Sequence, residues 1–313
     1  MILKIITMSL LSCSLLVAGA EPKKILYIDS YHLGYEWSDG IRRGILEVLP
    51  AEIELKSLYL DTKRHAQISY KKAVALTAKA VIDTFKPDVV IACDDNAAQY
   101  LIQPYYQNSS LPFVFCGLNW DASSYGFPYP NVTGMVEVTL LPQIMKQLKH
   151  YAHGQRLGLL SADTATDRKV LAYHQKTLHI KYDRIYFVNT FADWQAKYLQ
   201  LQQEVDTLIL LNVVGIHHWD LRQAQYFVEQ HTQIPSGSEY RWLMPLSLLG
   251  IVIMPEEQGR WSAHAALKIL QGIPPYKIPI THNKQSQLLF NARLSQKLGI
   301  TPPKSATLIN NNF

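Results

Sequence analysis

Short apolar runs and amphipathic stretches take turns along nearly the whole chain, and this alternation restricts the fold more than any other feature. Ile25–Ile28, Ile53–Tyr59, Val89–Ala92 and Phe113–Cys116 read as strands. Between them, Asp39–Leu49 and Gln67–Phe85 carry apolar residues at helical spacing, Ile41, Ile45 and Val48 in the first and Val74, Ala78, Val81, Ile82 and Phe85 in the second. Ser38 is the expected cap of the first helix, and Asp94-Asp95-Asn96 offer cap chemistry for a third through Ile102. Strands that alternate with helices in this way predict a parallel sheet covered on both faces.

The rhythm breaks over 121–133, which is rich in Ser, Gly, Pro and Asn, and Thr133–Val136 then leads into a helix around Leu141–His150. It restarts with strands at Leu157–Leu160, Ile185–Val188 and Thr207–Val213, and with helices after Thr166, around Asp193–Glu204 and near Leu221–Gln230. A second α/β unit is therefore expected. The tail adds an apolar stretch, Leu243–Met254, a helix from Pro255 with Ala263, Ala266, Leu267 and Leu270 on one face, a strand at Gln287–Phe290 and a helix at Ala292–Leu298. Such a piece after two complete units suits a chain that crosses back between lobes.

Residues 1–20 combine Lys4, an apolar run and Ala18-Gly19-Ala20, the pattern of a cleaved signal peptide. Cys13, after Leu10-Leu11-Ser12, offers a lipoprotein alternative, which the better cleavage pattern downstream disfavours. The expected location is the periplasm. The formal charge of +5 is spread without a Lys/Arg block, so nucleic acid is not an expected partner. Cys93 and Cys116 both end apolar strands. A disulfide between them is open, and two separate buried cysteines are the preferred reading.

The opening ILYIDSYHLGYEWSDGIRRG, Ile25–Gly44, resembles that of bacterial ABC transporter substrate-binding proteins, relatives of tryptophan- and tyrosine-binding periplasmic proteins. The tail is similar to the same family: IPSGSEYRWLMPLSLLG from Ile234, PEEQGRWSAHAALKILQGIPPYKIPI from Pro255 and LLFNARLSQKLGITPP up to Pro303. The resemblance spans the mature chain. It implies a type I periplasmic-binding fold: two Rossmann-like lobes of parallel sheets flanked by helices, joined by a three-crossing hinge and closing on a ligand. The expected division is 1–20 signal peptide, 21–134 with about 246–280 as one lobe, and 135–245 with about 281–313 as the other. The implied function is capture of a small molecule, an amino acid being favoured, for an ABC-type importer. The alternative is a sensory binding protein that reports occupancy to a membrane histidine kinase or diguanylate cyclase. A monomer is expected.

Ligands of open α/β sheets bind beyond the carboxyl ends of the strands. The first lobe is therefore expected to contribute Ser30, Tyr31, His32, Tyr35, Trp37, Asp94, Asp95, Asn96 and Asn119. The second is expected to contribute Asp163, Thr164, Asn212, His218, Trp219, Asp220, Ser236 and Ser238. Acids outnumber bases in these loops, and aromatics are frequent, which points to a ligand with an ammonium or many hydroxyls against a flat ring. Several of these residues have simpler readings: Asp94 or Asp95 as a helix cap, Trp37 and Trp261 as core, Glu256-Glu257 as partners of a helix dipole, Gly134 and Gly250 as turn glycines, and Asn291 as a helix start. Catalysis is not expected. Adjacent His217 and His218 have no metal-ligand spacing, and the chain lacks a G-x-S-x-G elbow and a phosphate loop. No cofactor is expected.

Overall fold

The computed structural model describes residues 21–310; the signal peptide and Cys13 lie outside them. In chain order the strands are β1 Lys24–Asp29, β2 Glu54–Tyr59, β3 Val89–Cys93, β4 Phe113–Asn119, β5 Val132–Glu137, β6 Leu157–Ala162, β7 Arg184–Val188, β8 Thr207–Leu210, β9 Ser236–Ser238, β10 Leu249–Ile253, β11 Thr281–His282, β12 Ser286–Asn291 and β13 Thr307–Ile309. They form two sheets, ordered β11-β5-β4-β3-β1-β2 and β13-β12-β10-β9-β8-β6-β7. The first is parallel throughout, and in the second only the β10–β12 pair is antiparallel. Two α/β lobes follow, as the alternation of apolar runs and amphipathic helices predicts.

The chain passes between the sheets three times: from β5 to the helix Leu141–Leu148, from β10 to the helix Pro255–Leu270, and from β11 to β12. The first sheet thus draws on 24–137 and 281–282, and the second on 157–253 and 286–309. The stretch 249–253, expected with the first lobe, pairs in the second sheet, against β9 and β12. Its apolar character does not identify its partner sheet, because a strand buried on both faces reads the same in either.

The helix Pro255–Leu270 packs on the first sheet. Ala263, Ala265 and Ala266 join Ile25, Tyr27, Ile41, Ile45 and Ile91 in one core. Small residues allow a close crossing with the helix Glu36–Val48: a Cβ on Gly44 would run into the Glu256 carbonyl, and one on Gly259 into the Ile41 carbonyl. Trp261 is partly buried against this core, as its helical position suggests. The second lobe has a larger core, with Trp194 and Tyr198 fully buried beside Leu208, Leu210 and Phe290. Among the described residues no helix is long and apolar enough to cross a membrane.

Several local expectations are corrected. Ser38 lies inside the helix Glu36–Val48, whose N-cap is Tyr35, and its Oγ donates to Asp29 at 2.8 Å. Asp94 and Asp95 start the helical stretch after β3 without capping it by side chain. That stretch continues through a π-helical turn, Ala98–Ile102, to Tyr105. Gly134 and Gly250 are strand residues, not turn glycines; Gly134 lies under the Phe115 ring. Cys93 and Cys116, partners in the β3–β4 register, form a disulfide with Cα atoms 4.6 Å apart. Asn291 caps the helix Ala292–Lys297, as expected, accepting from the Leu294 N–H at 3.1 Å.

Candidate functional site

The carboxyl ends of the parallel strands face each other across the interlobe space, and two chambers lie there. The inner chamber, about 50 Å³, is lined by Tyr31, Tyr35, Lys63, Asp94, Asn119, Asp167 and Asn212 among others. The outer chamber, about 330 Å³, lies beside the second crossing and is lined by Glu36, Arg43, Glu239, Arg241, Met254, Pro255 and Glu256 among others. Trp37, Glu137, Tyr240 and Trp242 line both. The outer volume is within the range of small-molecule sites.

The loop after β1 is held from beneath. Asp29 accepts from the Tyr27 hydroxyl, from the Tyr31 N–H at 2.7 Å and from Ser38 at 2.8 Å. Ser30 is buried and bonds the chain after β3: its Oγ donates to the Cys93 carbonyl at 2.6 Å and accepts from the Ala97 N–H at 2.9 Å. Ser30 therefore positions the floor without lining the chambers. On that floor Asp94 has φ +69°, the left-handed region that a non-glycine residue rarely adopts. Gly117 lies so close that a Cβ there would come 2.8 Å from Asp94 Oδ1. The Trp37 indole N–H donates to the same oxygen at 3.0 Å. Trp37, 6 % exposed, is thus both core and cavity wall. The second Asp94 oxygen, Oδ2, is buried without a hydrogen-bond partner.

The chambers are acidic. Burial, with Asp29 and Glu137 nearby, pushes the Asp94 carboxyl well above the usual carboxylate range. Burial and the neighbouring Glu239 and Asp95 raise Glu137 to about 8, against an opposing pull from Lys63. Glu239 is pushed up to about 7 by burial, opposed by the backbone N–H groups of Leu140 and Leu141. It accepts from the Thr139 hydroxyl and from the Leu140 N–H at 3.0 Å, which ties the second lobe to the first crossing. Burial also raises Asp167, which accepts from Thr164 at 2.6 Å and Asn212 at 3.3 Å. Lys63 is lowered by burial, and its ammonium lies 5.0 Å from the Tyr31 ring centre and 5.1 Å from that of Tyr35.

Of the residues expected from sequence, Tyr31, Tyr35, Trp37, Asp94, Asn119 and Asn212 line the inner chamber. The others line neither chamber. His32 faces Asp61 at 3.6 Å. Asp95 accepts from Asn119 and Tyr125, both at 2.7 Å, and Asn96 donates to Thr62 at 2.9 Å. Asp163 pairs with Arg168 at 2.6 Å. Thr164 and Asp220 are helix caps, accepting from the N–H groups of Asp167 and Gln223. His218 is exposed with φ +58°, and Trp219 packs edge-on against Trp194 in the core. Ser236 and Ser238 accept from backbone N–H groups of Leu248 and Tyr240. Glu257 accepts from Lys284 and Gln285 N–H groups and so fastens the third crossing. Sequence reasoning missed Lys63, Glu137, Asp167, Glu239, Tyr240 and Trp242.

Direct contacts close the space between the lobes. Trp120 stacks on Tyr173 with ring centres 4.2 Å apart, and Lys169 lies 3.7 Å from Asp95. Tyr35 and Trp242 approach to 6.0 Å.

Residues 247–309 match the family described as ABC transporter substrate binding protein. No curated protein matches the chain. Among solved structures, the chain is similar to a ligand-free, open substrate binding protein with adhesive properties from Clostridium difficile. That match has a TM-score of 0.68 at 15 % identity and covers 92 % of this chain and 99 % of the other. A domain from Streptococcus pneumonia in complex with L-Trp matches with TM-score 0.64 at 16 % identity, over 91 % of this chain and 99 % of that one. A conserved domain protein from Vibrio cholerae matches with TM-score 0.64 at 18 % identity, over 92 % and 99 %. The fold is that of the two-lobed, type I periplasmic substrate-binding proteins, and the C-terminal part carries the sequence signature of ABC transporter substrate-binding proteins.

Proposed function

We propose that the protein captures a small solute with an ammonium group between its lobes and delivers it to an ABC-type permease. One observation carries this reading: Asp94, 2 % exposed, lines an interlobe chamber walled by aromatic rings, and its Oδ2 is buried without a hydrogen-bond partner. A buried carboxylate without a donor is costly in an empty site. A ligand that supplies the donor removes that cost only when the lobes are closed, so it shifts the population toward the closed form. The family match over 247–309 supports delivery to a permease. The L-Trp complex of the pneumococcal structure supports an ammonium on an aromatic body.

The test is mass spectrometry of the small molecules released from protein purified without refolding, followed by melting measurements with each compound found. A released solute that raises the melting temperature by mass action, and no longer does so in Asp94→Asn, is expected. If no compound in a broad metabolite panel shifts the melting curve, solute capture is ruled out.

A further inference from the structure

We infer that the interlobe site selects a primary amine that lacks a carboxylate, seating its ammonium against Asp94 and Glu137 and its body against Trp37 and Trp242. This rests on reading the cleft as a solute site and narrows the ligand class.

The first argument is the charge inventory. Six carboxylates line the two chambers: Asp94, Asp167, Glu137, Glu36, Glu239 and Glu256. Three cations face them: Lys63, Arg43 and Arg241. Burial favours the protonated form of Asp94, Glu137 and Glu239, and an incoming ammonium can take the place of such a proton, whereas an amino acid brings a carboxylate into the same site. Acidic residues outnumber cationic ones by two in each chamber. Asp94 Oδ2 has no donor, and the Glu137 side chain has no hydrogen bond or ion pair among the described residues.

The second argument is that most groups able to hold a carboxylate carry a partner, although Arg241 gives only one N–H, to the neutral Gln287, among the described residues. Arg43 pairs with Glu256 at 2.6 Å, and Arg241 donates to Gln287. The helix Ala165–Lys176 points its positive end at the inner chamber, but Asp167 in its first turn already meets that end. Lys63 remains, and its ammonium lies over Tyr31 and Tyr35 with Asp167, Asp94 and Glu137 around it. In this position it is an internal counterion for the acids, and it competes with an incoming ammonium for the same field.

The third argument is size and shape. The inner chamber, about 50 Å³, admits a group of ammonium size and no ring, while the outer one, about 330 Å³, admits a body. Trp37, Glu137, Tyr240 and Trp242 belong to both, so a ligand that reaches from one to the other passes these side chains.

Melting measurements with matched pairs separate the alternatives. Tryptamine, tyramine and putrescine are each compared with the amino acid that yields it on decarboxylation: L-tryptophan, L-tyrosine and L-ornithine. At least one amine should raise the melting temperature while its parent amino acid binds at least roughly tenfold more weakly. An amino acid that binds as well as its amine overturns the inference and leaves solute capture standing. Silence from the whole set, with a shift from a sugar, also overturns it. Lys63→Met provides the second arm. Amine binding should tighten by roughly tenfold when the competing charge is removed; unchanged or weaker amine binding overturns the counterion role of Lys63, and loss of amino-acid binding in this variant would show that Lys63 holds a ligand carboxylate. Asp94→Asn and Glu137→Gln should each abolish amine binding, with the melting curve of the free variant reporting that it is folded.

Discussion

Trp120 lies flat on Tyr173, the ring planes 8° apart, and so joins the loop after β4 in one lobe to the helix Ala165–Lys176 in the other. Lys169 from the same helix reaches Asp95 and covers the Trp120 ring at 5.3 Å. This contact bridges the two lobes. A stacked pair contributes about 0.5–1.5 kcal/mol. Trp120→Ala should therefore weaken solute binding by roughly three- to tenfold and enlarge the ligand-free particle in small-angle scattering. An unchanged scattering curve together with unchanged affinity would remove Trp120 from the closure mechanism.

Glu137 makes stability depend on pH. It faces Glu239 from the second lobe, Asp95 and Asp94 from the floor after β3, and Lys63 from the loop after β2. Its folded-state value of about 8 lies above the ordinary 4.5. Between those values the folded protein holds a proton that the unfolded chain has released, so stability falls as pH rises through this window. Glu239, at about 7, acts in the same direction over a shorter range. The ligand-free protein should melt at progressively lower temperature from pH 5 to pH 8, and Glu137→Gln should flatten the slope. A slope of opposite sign would refute the buried-acid account of the cleft.

Amine binding carries the inverse dependence. An ammonium meets the ionised carboxylate, so below pH 8 it must expel the Glu137 proton. Affinity should rise from pH 6 to pH 8 by up to about tenfold per unit for one displaced proton. Titration calorimetry in buffers of different ionisation enthalpy checks the proton release directly.

Two glycines set the distance between helices Glu36–Val48 and Pro255–Leu270. Either Gly44→Ala or Gly259→Ala would force a methyl group into a backbone carbonyl. Overpacking of this kind costs about 1–3 kcal/mol, more where backbone cannot yield. Each substitution should lower the melting temperature without altering the ratio of affinities for an amine and its parent amino acid.

Asp220 separates sequence expectation from geometry. Its carboxylate caps the helix Leu221–His231 and lines neither chamber. Asp220→Ala should lower the melting temperature by a few degrees, as loss of a cap does, and leave solute affinity intact. Loss of binding in this variant would place the site outside the two chambers.

The two-lobed architecture was legible because β1, β3, β4 and β6 are apolar runs next to helices with a clear apolar face. The first-lobe floor was legible too: Tyr31, Tyr35, Trp37, Asp94 and Asn119 follow such runs. Most of what escaped sequence reasoning follows short or unmarked strands; Asp167 instead follows the apolar β6 and lies in the first turn of the next helix, beyond the strand end. β9 is Ser236-Gly237-Ser238, with no apolar residue; Gly237 is buried because Ile144 packs where a Cβ would be. Tyr240 and Trp242 therefore did not read as strand-end residues. β5 begins Val132-Thr133-Gly134, and its glycine read as a turn, so Glu137 was not placed at a strand end. Lys63 lies beyond β2, which is half-exposed and marks no cleft by itself. Second-lobe polar residues such as Thr164 and Asp220 were misread because a helix cap and a ligand contact use the same residue types just beyond a strand.

The helix Pro255–Leu270 completes the core of the first lobe, although the whole sheet scaffold of the second lobe up to β10 precedes it in sequence. A ribosome therefore finishes β1 through β5 long before it makes the helix that covers one face of them. Until then that face, with Ile25, Tyr27, Ile91 and the Cys93–Cys116 region, is covered only by the helix Glu36–Val48. Both lobes therefore draw on residues from the last part of the chain. Removal of residues 255–313 would strip the first lobe of this helix and of β11, and the second of β12 and β13.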